Sequence, residues 1–214
     1  MLEVGCGTGV LTAELGRATR ARVHGLDLER DFLALAQAGD RKTRFTLSDG
    51  RALPYRTGAF DLVFCHFFLL WVKDPLQALR EMARVTRRGR AVLALAEPDY
   101  GGRIDYPASL ADLGRLQTEG LRQAGANPMI GRELASLFLR AGLVDIETGV
   151  LGGEWRYPLP PRDRESEWST LRADVGGQLP PDRLEELFTI DQAASEHGER
   201  VLYVPTFYAI GWVN

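Results

Sequence analysis

Over the first 97 residues, short apolar runs alternate with stretches of helical period. Leu2 to Val4 is a strand-like run that stops at Gly5, and Thr8 to Arg17 reads as a helix. Ala21 to Leu28 is a second strand, Arg30 to Ala38 a second helix, and Arg44 to Leu47 a short third strand. Phe60 to His66 is apolar nearly throughout, as a strand buried on both faces in a parallel sheet must be. Asp74-Pro75 has the form of a helix start, an acceptor side chain followed by a first-turn proline. Leu76, Leu79, Met82, Ala83 and Val85 then share one helical face, which Gly89 is expected to close. Ala91 to Ala96 is the fifth strand. Strands separated by helices or loops imply βαβ units and a parallel, doubly wound α/β sheet.

Beyond Asp99 the rhythm changes. Pro107 to Ala126 is helical in pattern although interrupted by Gly114, Gly120 and Gly125, and Arg132 to Ala141 is a clearer amphipathic helix. Leu143 to Leu151 is a sixth strand. Tyr157 to Pro161 is a proline-rich connection, and Arg162 to His197 holds two helices split at Gly176-Gly177. Leu202 to Val213 is a last strand. The expectation is one domain over 1–214. Residues 1–97 form its first half, and 98–214 its second, with 99–142 and 153–200 as helical insertions or caps.

Composition narrows the class. The 214 residues are 45% apolar and 26% charged, an ordinary globular mix, and enough chain to bury a core. A net charge of −3 gives no basic footprint for nucleic acid. Lysine occurs only at 42 and 73, so nearly all cations are arginine; the runs Arg17 to Arg22 and Arg84 to Arg90 read as solvated helix ends. Two cysteines, Cys6 and Cys65, with three histidines make neither a disulfide scaffold nor a zinc cage, and no metal is expected. No run reaches the ~18 apolar residues a membrane helix needs, and no charged-then-apolar leader opens the chain. A cytoplasmic protein is the expectation, monomer or homodimer.

The strongest chemical signal is Glu3-Val4-Gly5-Cys6-Gly7-Thr8-Gly9, set between a strand and a helix. Glycines there allow a tight turn and let a ligand approach the main chain, while the helix start offers free N–H groups. Asp27 follows Gly9 by 18 residues, at the end of the second strand, where a carboxylate can accept from both hydroxyls of a ribose. The dinucleotide fingerprint G-x-G-x-x-G fails, because its third glycine position is Val10 counted from Gly5 and Thr12 counted from Gly7.

With Gly25-Leu26-Asp27, Ser48-Asp49-Gly50, Leu53-Pro54 and Phe60-Asp61-Leu62-Val63 in order after the glycine loop, the chain resembles the class I S-adenosylmethionine-dependent methyltransferases, and among them the quinone-biosynthesis group. The resemblance is good over about 1–97 and weaker at Gly131 to Gly142 and Phe207 to Gly211. It implies a seven-stranded Rossmann-like sheet, mostly parallel, with the last strand antiparallel. It also implies S-adenosyl-L-methionine as cofactor. Glu3, with the backbone of Gly5, Cys6 and Gly7, would hold its amino-acid end. Asp27 would take the ribose, with Leu28 on the adenine. Asp49, backed by Gly50, would accept from the adenine amine, and Cys65 would lie near the sulfonium.

The implied reaction is methyl transfer to a small organic acceptor, an in-line displacement that depends on alignment and exclusion of water. The fourth strand runs into Cys65-His66-Phe67-Phe68, without the Asn/Asp-Pro-Pro-aromatic motif of DNA amino-methyltransferases. His66 is the one candidate for a catalytic base. Phe67 to Trp71 either line an apolar pocket or pack the next helix, and Glu97, Asp99 and Tyr100 follow the fifth strand as candidate acceptor-side groups. Two other readings stay open here: a non-catalytic cofactor-binding protein of this fold, and a nicotinamide oxidoreductase, which Val10 and the absence of a Tyr-x-x-x-Lys pair from the chain oppose. The first strand, starting at Met1 or Leu2, is short for its central place, so either an upstream start or an open pocket is expected.

Overall fold

In the computed structural model, which describes residues 1–153 and 161–214 and side chains outside 161–164, the alternating pattern folds as a seven-stranded sheet. The elements in chain order are β1 (Leu2–Val4), α1 (Val10–Thr19), β2 (His24–Asp27), α2 (Arg30–Gly39), β3 (Arg44–Leu47), β4 (Phe60–Cys65), a 3-10 turn (Leu69–Trp71), α3 (Pro75–Val85) and β5 (Thr86–Pro98). They continue with β6 (Ile104–Tyr106), α4 (Ala111–Gln123), α5 (Leu134–Arg140), β7 (Leu143–Leu151), α6 (Pro161–Val175), α7 (Pro181–Glu196), β8 (Val201–Tyr203) and β9 (Thr206–Val213). The strand order is β3-β2-β1-β4-β5-β9-β7, mostly parallel with one antiparallel strand.

The described residues divide into two compact units. The first comprises Met1–Glu97, Ile130–Val150 and Phe207–Asn214, and contains the sheet. Its core is apolar on both faces: Leu2, Val4, Leu26, Val63, Phe64 and Val92 are all buried. Register aligns the strand ends, since Val4 lies beside Leu26 on one side and Cys65 on the other, and Cys65 beside Ala94. Gly5, Asp27 and His66 therefore emerge together at the carboxyl edge. The chain runs outward from β1 through β2 to β3 in one direction and through β4 to β5 in the other, so β1/β4 is the topological switch point where open α/β sheets bind ligands.

The second unit, Pro98–Met129 and Leu151–Thr206, pairs β6 antiparallel to β8 and packs α4, α6 and α7 around Leu110, Leu113, Trp168, Leu171, Val175 and Leu187. A buried polar network crosses it. Arg103 Nε lies 2.6 Å from Asp105 Oδ2, and Arg200 Nη2 lies 2.9 Å from Asp105 Oδ1. Arg200 Nε also donates to Asp191 Oδ1, and Trp168 Nε1 donates to Asp191 Oδ2 at 2.8 Å. Every one of these charges has an opposite partner, as burial demands.

Three expectations need revision. Leu202 to Val213 is two strands, not one: Pro205 has no N–H to give a ladder, and the chain leaves β8 in the two-stranded sheet and enters β9 in the large one. α3 ends at Val85, not Gly89; the Thr86 N–H caps it, and Gly89 (φ 70°) sits inside β5. Within the stretch 99–142, residues 130–142 belong to the sheet-bearing unit. The proline-rich connection expected at Tyr157 to Pro161 falls, up to Pro160, outside the described residues.

Candidate functional site

The glycine loop is built by main-chain bonds. Gly5 and Cys6 both donate N–H to the Leu26 carbonyl, at 2.8 and 2.9 Å, which ties the loop to the end of β2. Gly5, Gly7 and Gly9 have φ of 76°, 50° and 75°, a left-handed backbone that side-chain-bearing residues adopt at a cost. Three such residues at alternate positions turn the chain from β1 directly into α1. Nothing lies within 4 Å of where a Cβ on Gly7 would stand, so the loop is open on that side.

Asp27 closes the loop. Its Oδ2 accepts from Gly7 N at 2.7 Å and its Oδ1 from Glu29 N at 2.9 Å. Each oxygen still has a free lone pair, and Asp27 lines a cavity of about 730 Å³. Gly5, Gly7, Leu28, Asp49, Gly50, Phe67, Phe68 and Trp71 also line it. Leu28, Phe32, Phe67 and Trp71 are exposed by 61%, 48%, 42% and 50%, a cluster of bare apolar side chains around a few polar groups. That is the make-up of a small-molecule site. Asp49 is held by Arg51, with Nη2 2.6 Å from Oδ2; the guanidinium keeps the carboxyl below its ordinary range. The turn beyond Gly50 is pinned from α3: Glu81 accepts from Leu53 N at 2.8 Å, and Arg84 donates to the carbonyls of Leu53 and Tyr55. Arg84 is thus a structural strut and not a solvated helix end.

Six of the residues expected to bind cofactor, Gly5, Gly7, Asp27, Leu28, Asp49 and Gly50, meet at this cavity. Glu3, Cys6 and Cys65 lie behind it, outside its lining. Glu3 is 2% exposed and accepts from Thr12 Oγ1; burial pushes its pKa up to about 7, with the Thr12 hydrogen bond opposing the rise. Burial raises the Cys6 thiol to about 12, with Glu3 and Asp27 adding to it, and raises fully buried Cys65 well above its usual range. His66 stacks edge-on against Phe67 with ring centroids 4.7 Å apart, and the desolvation lowers its pKa. It too is outside the cavity lining.

Glu97 differs most from its expected place. It is not an accessible group but 0% exposed, and its carboxylate receives three consecutive backbone N–H groups: Phe68 at 3.0 Å, Leu69 at 2.9 Å and Leu70 at 3.3 Å. Burial raises its pKa to about 7 against the pull of those bonds. Phe67 to Trp71 do both of the tasks weighed for them: Leu69 and Leu70 are buried, while Phe67, Phe68 and Trp71 face the cavity. Periodicity could not separate these roles, because a tight 3-10 turn has no long apolar period.

A second concavity of about 990 Å³ lies at the amino ends of β2 and β3, lined by Arg17, Arg22, Arg41, Lys42 and Arg44. It has neither the glycine loop nor the switch point.

Residues 2–94 match the family description "methyltransferase domain". The chain is 32% identical over 164 residues to a demethylmenaquinone methyltransferase of Bacillus licheniformis, covering 68% of this chain and 71% of that one. It is 34% identical over 159 residues to a malonyl-[acyl-carrier protein] O-methyltransferase of Halorhodospira halophila, covering 72% of this chain and 50% of that one. The chain belongs to the class I S-adenosylmethionine-dependent methyltransferases. It spans only 41–50% of the length of several other curated relatives. In fold it superposes on the phosphoethanolamine N-methyltransferase 2 of Haemonchus contortus in complex with S-adenosyl-L-methionine, with a TM-score of 0.63 at 18% identity, over 99% of this chain and 48% of that one.

Proposed function

We infer that the protein transfers a methyl group from S-adenosylmethionine to a small organic acceptor, and that the 730 Å³ cavity holds the cofactor. One observation carries this reading: a glycine loop, a ribose-directed carboxylate and a second carboxylate, far apart in sequence, converge at the switch point of the sheet. The donor set fits. The cofactor has hydroxyls and an amine to donate and a sulfonium cation; the cavity supplies acceptors in Asp27 and Asp49, and bare backbone at Gly7. When bound, the cofactor supplies an electrophilic methyl group. The chain's own residues hold and desolvate it: Asp27 the ribose, Asp49 the adenine amine, Leu28 the base, and Gly5 and Gly7 the amino-acid end. Glu3, Cys6 and Cys65 support that surface from behind.

The cytoplasm is the proposed location. Among the described residues no helix is long and apolar enough to cross a membrane. The test is calorimetric titration with S-adenosylhomocysteine and NADH, followed by transfer of a labelled methyl group across a panel of phenols, quinols, amines and carboxylic acids. Binding of S-adenosylhomocysteine alone and label transfer to one acceptor class are expected. Binding of NADH in its place would overturn the assignment.

A further inference from the structure

The segment that brings Phe67, Phe68 and Trp71 into the cavity wall is tied to β5 by the Ala96 carbonyl and the Glu97 side chain. Phe67 is a non-glycine residue with φ 49°, and its N–H reaches the Ala96 carbonyl at 2.9 Å. The next three N–H groups all point at Glu97, two at Oε1 and one at Oε2. Charged acceptors make the stronger hydrogen bonds, and here the acceptor is fully buried. The bonds determine where Phe68 lies. A Cβ on Gly50 would stand 2.7 Å from Phe68 Cζ, and one on Gly5 would fall on the same ring, so the phenyl bridges the glycine loop and the Gly50 turn. Glu97 itself does not line the cavity.

We propose that Glu97 is a positioning residue for cofactor binding: its ionised carboxylate locks Phe68 to Leu70 so that the Phe68 ring spans Gly5 and Gly50. This rests on the reading of the cavity as the cofactor site. Protonation of Oε2 removes the acceptor for Leu70 N–H and leaves Oε1 serving Phe68 and Leu69. A glutamine at 97 reproduces that protonated pattern at every pH, because its amide NH₂ meets the Leu70 N–H donor to donor. Glu97→Asp keeps the charge and draws it back by one methylene. The titratable neighbours on the sheet are Cys65 on β4, 3.8 Å from Oε1, and Glu3 on β1, which acts on Cys65. Cys65 stays protonated throughout the range of interest, and Glu3 titrates alike in wild type and variant, so only their difference is read.

The experiment is calorimetric binding of S-adenosylhomocysteine at pH 6.0 and 8.5 to wild type, Glu97→Gln, Glu97→Asp, Phe68→Ala and Glu97→Gln/Phe68→Ala, each with a melting curve. At pH 8.5 Glu97→Gln is expected to bind about tenfold more weakly than wild type, the equivalent of one hydrogen bond to a charged acceptor. At pH 6.0 the two should converge. The double variant should lose less than the two single losses combined, because Glu97 acts through Phe68. Glu97→Asp should also weaken binding, and it carries the test if the glutamine variant does not fold. Equal affinity of wild type and Glu97→Gln at both pH values, or additive losses in the double variant, overturns the proposal while leaving the cofactor site standing. Failure of Asp27→Ala to weaken binding overturns the cofactor site itself.

Discussion

Removing the Asp27 carboxylate separates what the residue does for the fold from what it does for the ligand. In the folded chain it accepts two backbone N–H groups, from Gly7 at 2.7 Å and Glu29 at 2.9 Å. Both donors sit on residues lining the cavity, where water can replace the lost acceptor. Asp27→Ala should therefore reduce folding stability by only about 1–2 kcal/mol. The ligand loses more. Each ribose hydroxyl bonded to a charged oxygen is worth ~1.5–3 kcal/mol, so two such bonds amount to ~3–6 kcal/mol, a rise of roughly two to four orders of magnitude in Kd. Asp27→Asn should lie between, since its amide oxygen keeps one acceptor and its NH₂ faces one of the two backbone donors. Calorimetry with S-adenosylhomocysteine, which binds without turnover, measures the affinity, and urea unfolding measures the stability. A folded Asp27→Ala protein with the wild-type Kd would refute the reasoning, because the ribose contact is assigned to this carboxylate.

Buried Glu3, with its pKa raised from 4.5 to about 7, makes stability pH-dependent: between those values the folded chain binds more protons than the unfolded one, so this contribution is full below about pH 4.5 and lost as pH rises through 7. Wild type should lose up to about 3 kcal/mol relative to Glu3→Gln between pH 4.5 and 8, measured by urea unfolding; a constant difference would contradict it. Asp105→Ala takes from buried Arg103 its carboxylate partner and leaves buried Arg200 with Asp191 alone, and should cost ~3–5 kcal/mol, against almost nothing for the exposed Asp112→Ala. Gly120→Ala places a methyl on the Asp174 main-chain carbonyl where α4 meets α6. Because backbone must move, the loss should be at least ~1–3 kcal/mol; a melting temperature equal to wild type would show that the two helices separate freely.

The chain order of strands, the glycine loop and the two acids were legible in the sequence because each is a local device. A strand buried on both faces must be apolar throughout, as Phe60 to Cys65 nearly is. A sharp turn from strand into helix needs residues that accept a left-handed backbone, and Asp74-Pro75 satisfies a helix start within one turn, its side chain accepting from Gln77 N at 3.0 Å. Family resemblance added the seven-stranded topology and the cofactor. What tertiary structure alone decided depends on pairs distant in the chain. Glu97 follows an apolar strand and reads as a loop acid; only the register of β5 beside β4 brings it under the N–H groups of residues 68–70, about thirty positions earlier. Glu3 and Cys65 belong to the right strands, yet both are buried and lie outside the cavity lining, which no motif spacing specifies. The division of Leu202 to Val213 between two sheets has the same origin. Its pattern is uniformly strand-like, and the partners available on either side of Pro205 determine which sheet each half joins.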